Sequence, residues 1–359
     1  MRTTLPIPAV DAINPAFQHA KEQLFHPIRF AQWARLALVG LLAGELGSSG
    51  RHLHFNAPRA HHLREAGQFP CMAWAAQLAH HPGTLAGLMV LLAVAGIGTV
   101  VLLTYLSSMM RFVLFESVMA KECHIRQGWS RRKGPGFRYF VWQLLLTLLA
   151  LSSFSALVGI PVAGAWIFGW FTHPREHLVP LILGGVALSL LLIALGAALT
   201  VIHVMTKDFV VPQMALENID AWEGWRRLWK SINTERGSYA AYMVMKTALS
   251  IVAGIAFGII TIVVVLTLLA PIGGLGVVGV LMGKAVGLTW NWFTIALSLL
   301  VGCVVLAIVM FAVSIVSVPA IVFFPAYSVH FFASRYPPLA ALLWPEAPGS
   351  GATGSALTN

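Results

Sequence analysis

Residues 178–206 read LVPLILGGVALSLLLIALGAALTVIHVMT, 29 positions without an Asp, Glu, Lys or Arg. A helix needs about 20 apolar residues to cross the hydrocarbon of a bilayer, so this stretch places the chain in a membrane. The same four charged types are missing from 83–110, 139–172, 247–283 and 285–334. A weaker segment, 30–46, carries Arg35 and Glu45, both within snorkelling reach of an interface. Six transmembrane helices are therefore predicted, over 30–46, 83–110, 139–160, 179–206, 240–270 and 292–318. Breaks are expected near Gly159 and Pro161 and again at Pro271, with 271–291 as a separate short helix docked on the outer side, a candidate re-entrant element.

The rest of the composition agrees. The 359 residues are 58% hydrophobic and 10% charged, against about 25% charged in an average soluble domain. A soluble protein could not cover its surface with so few charges, which excludes a cytosolic enzyme and a disordered chain. The formal charge of +10 is too sparsely distributed for a nucleic-acid-binding surface. Cys71, Cys123 and Cys303 are odd in number and far apart, so they form neither a disulfide framework nor a zinc knuckle. Residues 1–29 lack the ordered charge, apolar core and small-residue site of a cleaved leader. They form an N-terminal segment with its own interfacial helix, followed by a membrane domain over 30–325 and a tail over 326–359 with a disordered end.

Orientation follows from the basic residues. The N-terminal segment, 111–138, 207–238 and the tail together hold 16 Lys and Arg, while 47–82, 172–178 and 271–291 hold 5. The positive-inside rule puts the first set, and both termini, in the cytoplasm.

An internal repeat is visible at the starts of spans. Arg29-Phe30 is followed by Trp33, and Arg138-Tyr139 by Trp142, while Tyr239 and Tyr242 keep the aromatic spacing without the Arg. Aromatics three apart share one helix face and anchor it at headgroup level. The exits match as well: Arg111-Phe112-Val113-Leu114-Phe115, Lys207-Asp208-Phe209-Val210-Val211-Pro212 and Ile321-Val322-Phe323-Phe324-Pro325. Three hairpin units of roughly 100 residues are expected, each opened by a cytoplasmic interfacial amphipathic helix. In the third, Ile219, Trp222, Trp225, Trp229 and Ile232 form one stripe, with Arg226, Arg227 and Lys230 beside it. Indole rings next to cations suit an anionic leaflet. In the first, Asn14-Pro15 reads as a helix start ahead of Phe17, Ala20 and Leu24. The second covers about 115–131. Trp33, Trp142, Trp222, Trp225, Trp229, Arg226, Arg227 and Lys230 are the candidate lipid and interface residues.

Chemistry is sparser. His52, His54, His61, His62, His80 and His81 crowd the first outer loop with Cys71 and Met72. Imidazole and soft sulfur could hold copper or zinc, but the spacing matches no defined site and ordinary loop polarity explains it equally. His203 is a conceivable haem ligand without a partner in the spans. Arg35, Glu45 and Lys246 lie near span ends and outline no ion path. No Walker loop, nucleophile elbow, His-Glu-x-x-His or dinucleotide fingerprint occurs, so no enzyme and no cofactor is expected.

Lys207–Pro212 at a span exit, the Trp/Arg helix over 219–232 and Gly237-Ser238-Tyr239 at the start of the next span together resemble a broad group of bacterial polytopic proteins. They are similar to the membrane domain that precedes the catalytic barrel in some glycerophosphodiester phosphodiesterases. The resemblance covers most of the chain and implies a bacterial inner-membrane location. No counterpart of the barrel is expected, so no phosphodiesterase residue carries over. The expected function is that of a non-enzymatic structural or lipid-associated envelope factor, or an accessory subunit of a membrane complex. Its expected partners are anionic lipids and other proteins. A transporter or channel built on the repeat, and a metal- or haem-binding subunit, are the alternatives.

Overall fold

Apolar runs this long form helices that overshoot the membrane, and the overshoot builds the core. The computed structural model describes residues 6–26, 29–45, 82–170, 177–285 and 292–344. Among them all regular structure is helical, in the order α1 (Ile13–Phe25), α2 (Phe30–Leu42), α3 (Pro82–Ala120), α4 (Ile125–Arg131), α5 (Lys133–Ile167) and α6 (Leu178–Met205). A single π turn (Thr206–Val210) follows, then α7 (Val211–Glu217), α8 (Ala221–Thr234), α9 (Arg236–Ala285), α10 (Trp292–Ala333) and α11 (Pro337–Leu343).

Five stretches are long and apolar enough to cross a bilayer: Ala86–Ala120, Lys133–Ile167, Leu178–Glu217, Arg236–Gly276 and Ala296–Ala333. Each is 35 residues or longer, so at about 1.5 Å per residue it exceeds 50 Å, well beyond the roughly 30 Å of hydrocarbon. The surplus gathers at one end, called basal below. Here Phe112–Leu114, Phe209–Val211, Tyr239, Tyr242 and Tyr327–Phe332 are buried together with α1 and α2. The ring of Phe209 meets Tyr239, Tyr242, Phe331 and Phe332 at centroid distances of 5.0–6.0 Å. Away from that end, Val90, Leu149, Leu190, Ile255 and Leu299 stand exposed among many other large apolar side chains.

Several expectations need correction. Of the first predicted span the structure describes a helix of 13 residues, about 20 Å long; residue 46 lies outside the described residues. The helix lies against α10 and α3 through Leu36, Ala37, Val39 and Gly40. The predicted breaks are not breaks: α5 runs through Gly159 and Pro161, and α9 runs through Pro271. A proline interrupts one backbone hydrogen bond, but in lipid an unwound backbone would leave many unpaired, so the helix continues. Residues 271–285 therefore extend α9 and are not a separate re-entrant element; 286–291 lie outside the described residues. The second interfacial helix, expected over 115–131, divides at Lys121, whose φ of 56° is left-handed. Its first part belongs to α3 and its second is α4. α1 begins at Ile13, with Pro15 inside its first turn. Beyond the boundary expected at 325, Ala326, Tyr327, Val329, Phe331 and Leu339 are core residues.

Candidate functional site

Pro212 shapes an unusual stretch of backbone. It has no N–H to return to the carbonyl four residues earlier, and its ring crowds that carbonyl. The helix widens just before it: Val211 N–H bonds to the carbonyl of Thr206, five residues back. Single π turns of this kind occur often at functional sites. This one turns Lys207 and Asp208, adjacent in sequence, both into the interior. The Trp225 indole N–H braces it from α8, donating to Thr206 Oγ1 at 2.9 Å.

Three further elements bring the partners. Glu45 follows α2 after Gly44, which adopts φ +77°, and its carboxylate receives Lys207 Nζ. On α9, Lys246 Nζ bonds Asp208 Oδ2, and Tyr242 donates its hydroxyl to the same oxygen at 2.9 Å. On α3, Arg111 donates to the Tyr139 hydroxyl of α5 and, at 3.2 Å, to the carbonyl of Ala43. Among the described residues, Arg111 Nε is buried without a hydrogen-bond partner.

Three cations and two carboxylates thus share one buried locus at the basal ends of α2, α3, α6 and α9. A cavity of about 30 Å³ opens among Glu45, Arg111, Lys207, Asp208, Pro212 and Ser328. That is room for a water or two and for no organic substrate. Ion pairs so deeply placed are costly to desolvate and strongly destabilising to break. The arrangement holds charge in place and joins four segments. Among the described residues no three His, Cys, Asp or Glu side chains could hold a metal ion.

The predicted interface residues separate into two groups. Trp33 donates to the carbonyl of Leu24 at 3.0 Å, tying α2 to α1, and Trp225 braces the π turn. Trp222 and Trp229 are 73% and 60% exposed. With Arg226 and Lys230, also exposed, they form the outer stripe of α8. The buried face of α8 is Ala221, Gly224 and Leu228, so two of the three Trp residues in the predicted stripe point outward. Trp142 meets Trp222 at 6.4 Å. Arg227 pairs with Glu217 and Glu223, and the hydrogen bonds from Arg227 and Arg226 hold the Glu223 carboxyl below the usual range. Cys123 is buried, and desolvation pushes its thiol pKa up, away from reactivity. The metal candidates His52, His54, His61, His62, His80 and His81 lie outside the described residues.

Glu45 and Lys246 were legible as isolated suspects near span ends, but their convergence with Arg111, Lys207 and Asp208 was not. The signal that could have found it is a Lys-Asp pair, with Asp208 four residues ahead of Pro212, at a span exit. No curated protein and no solved structure matches this chain. One family model matches residues 7–342, nearly the whole sequence, so the chain belongs to DUF7544, a family of unknown function.

Proposed function

We propose that this protein is a non-enzymatic, lipid-associated structural factor of the bacterial inner membrane. Its basal core lies on the cytoplasmic side, and three hairpin units, the first with α2 as its short leading helix, are arranged around that core. One observation carries the reading. The apolar stretches of the five span-length helices are almost wholly unburied within the chain, so lipid tails must cover them. The order of a short helix followed by two apolar helices, seen in α1–α2–α3, α4–α5–α6 and α8–α9–α10, supports the threefold unit. The excess of basic residues in the basal segments supports the orientation. The outer stripe of α8 fits an anionic leaflet.

Native mass spectrometry of protein released from nanodiscs tests this reading. A monomer carrying several phospholipids is expected. A lipid-free oligomer with stable protein–protein contacts would overturn it in favour of the accessory-subunit version. The buried charge cluster favours a second reading, coupled transport. Proton flux into proteoliposomes that Asp208→Asn abolishes would establish that reading instead.

A further inference from the structure

A second cavity lies away from the charge cluster. It measures about 500 Å³ and opens between α1, α9 and α10, lined by Phe17, Phe25, Ala253, Phe257, Pro319 and Phe323, with Lys21 among them. That volume falls within the roughly 300–1,000 Å³ of small-molecule pockets. Small residues, Ala20, Ala253 and Ala320, keep it open. Ala253 and Phe257 belong to the apolar stretch of α9, whereas Lys21 belongs to α1, outside the spanning helices. The groove therefore joins bilayer depth to the level of α1.

Its wall is almost entirely carbon, so water gains nothing by filling it, while a hydrocarbon chain recovers the burial of each methylene. Charge around Lys21 decides what the chain carries. Glu22, the neighbouring carboxylate, is bound to Lys121 Nζ at 2.6 Å, and Arg29 approaches Glu122 at 3.8 Å. Among the described residues no carboxylate pairs with Lys21, so one positive charge is left for a ligand. We infer that this groove binds one acyl chain of an anionic phospholipid, with Lys21 facing its phosphate. The inference deepens the lipid-associated reading above and rests on it, adding a single defined site to the general lipid coat.

The test uses the full chain in nanodiscs of mixed phosphatidylglycerol and phosphatidylcholine, extracted into mild detergent and weighed by native mass spectrometry. Wild-type protein is expected to retain one phosphatidylglycerol after the remaining lipids are stripped. Ala253→Trp fills the groove and should abolish that last adduct. Lys21→Gln, an exposed change that leaves folding alone, should keep one lipid but lower its preference for phosphatidylglycerol about fivefold, as expected for one lysine near the surface. A last adduct that survives both changes, or that shows no headgroup preference in the wild type, overturns the proposal while leaving lipid association intact. A dimer that Ala253→Trp dissociates would show a second copy in the groove and overturn it too. Wild-type protein that carries no lipid at any stage of stripping would overturn the broader reading itself.

Discussion

Removing the carboxylate of Asp208 should cost more stability than removing it together with its partner. The Asp208 side chain is 2% exposed and that of Lys246 is 10%, so Asp208→Ala strands an ammonium group out of reach of water. Breaking one side of a buried pair costs about 3–5 kcal/mol. Asp208→Ala also orphans the Tyr242 hydroxyl, which donates to the same oxygen at 2.9 Å, for a further 1 kcal/mol or so. Working in a Tyr242→Phe background removes that second loss and isolates the ion pair. In that background Lys246→Met replaces the ammonium with an apolar group of similar length, and the double variant Asp208→Ala with Lys246→Met leaves no buried charge at this position. Since exchanging both members of a buried pair is often nearly neutral, the double variant should be more stable than Asp208→Ala alone, with a coupling of roughly 2 kcal/mol or more. The assay is equilibrium unfolding in mixed micelles titrated with dodecyl sulfate, followed by tryptophan fluorescence. Additive losses would refute the claim that the two charges compensate each other, and would mean that water reaches Lys246 freely.

Two other expectations are independent of that network. A Cβ added at Gly40 would meet Ile321 Cδ1 at 2.5 Å and Cγ2 at 2.7 Å. The branched Cγ2 cannot swing aside without moving the rotamer, so Gly40→Ala should cost about 1–3 kcal/mol. Ile321→Ala in the same chain should recover part of that loss, and a neutral Gly40→Ala in the same unfolding assay would show that α2 and α10 do not meet here.

His19 is buried and donates to the carbonyl of Val118 at 2.8 Å. Desolvation lowers its pKa below 6.5, with Lys121 adding to the effect, while the Val118 bond and Glu22 oppose it; the ring of His330 lies 5.6 Å away. The unfolded chain then takes up a proton more readily than the native one. The contribution of His19 is complete above pH 6.5 and is lost as pH falls from there toward the depressed native value. His19→Gln keeps a donor for Val118 and should flatten the stability profile between pH 7 and 5; identical slopes for both proteins would sink the assignment.

The membrane class and the positions of five spans were legible because a run of uncharged residues is a one-dimensional signal. So was the amphipathic character of α8, since Trp222, Trp225 and Trp229 recur at helical spacing. Its inward face was not legible, because it is set by Ala221 and Gly224, residues small enough for close approach, with Val210 Cγ1 only 2.7 Å from a Cβ at Gly224. The charge cluster was illegible for a different reason. Its pairs join positions 45 with 207, 111 with 139 and 208 with 246, and no local pattern records contacts of that range. Single charges also vanish in any window wide enough to detect a span.

The location of the cluster follows from what a bilayer can and cannot do. Between helices in hydrocarbon, apolar side chains gain little by leaving lipid for protein, because the tails are as apolar as they are. The apolar stretches of the five long helices therefore carry little information about how those helices should associate. Association has to be specified where polar and aromatic groups are affordable, near a membrane edge, and this chain concentrates both there. Arg111 and Lys207 stand at matching positions in two of the three similar exit sequences. Each reaches toward a segment that is remote in sequence, Arg111 to Tyr139 and Ala43, Lys207 to Glu45. The third exit opens with Ile321, and it is this residue that packs on Gly40. The three exits thus close on the same short helix, two of them through charge and one through shape. The short helix α2 is then the piece that the other segments grip. Lengthening the apolar part of α2 should accordingly leave the basal contacts unchanged, whereas changing Gly40 or Glu45 should loosen all three exits together.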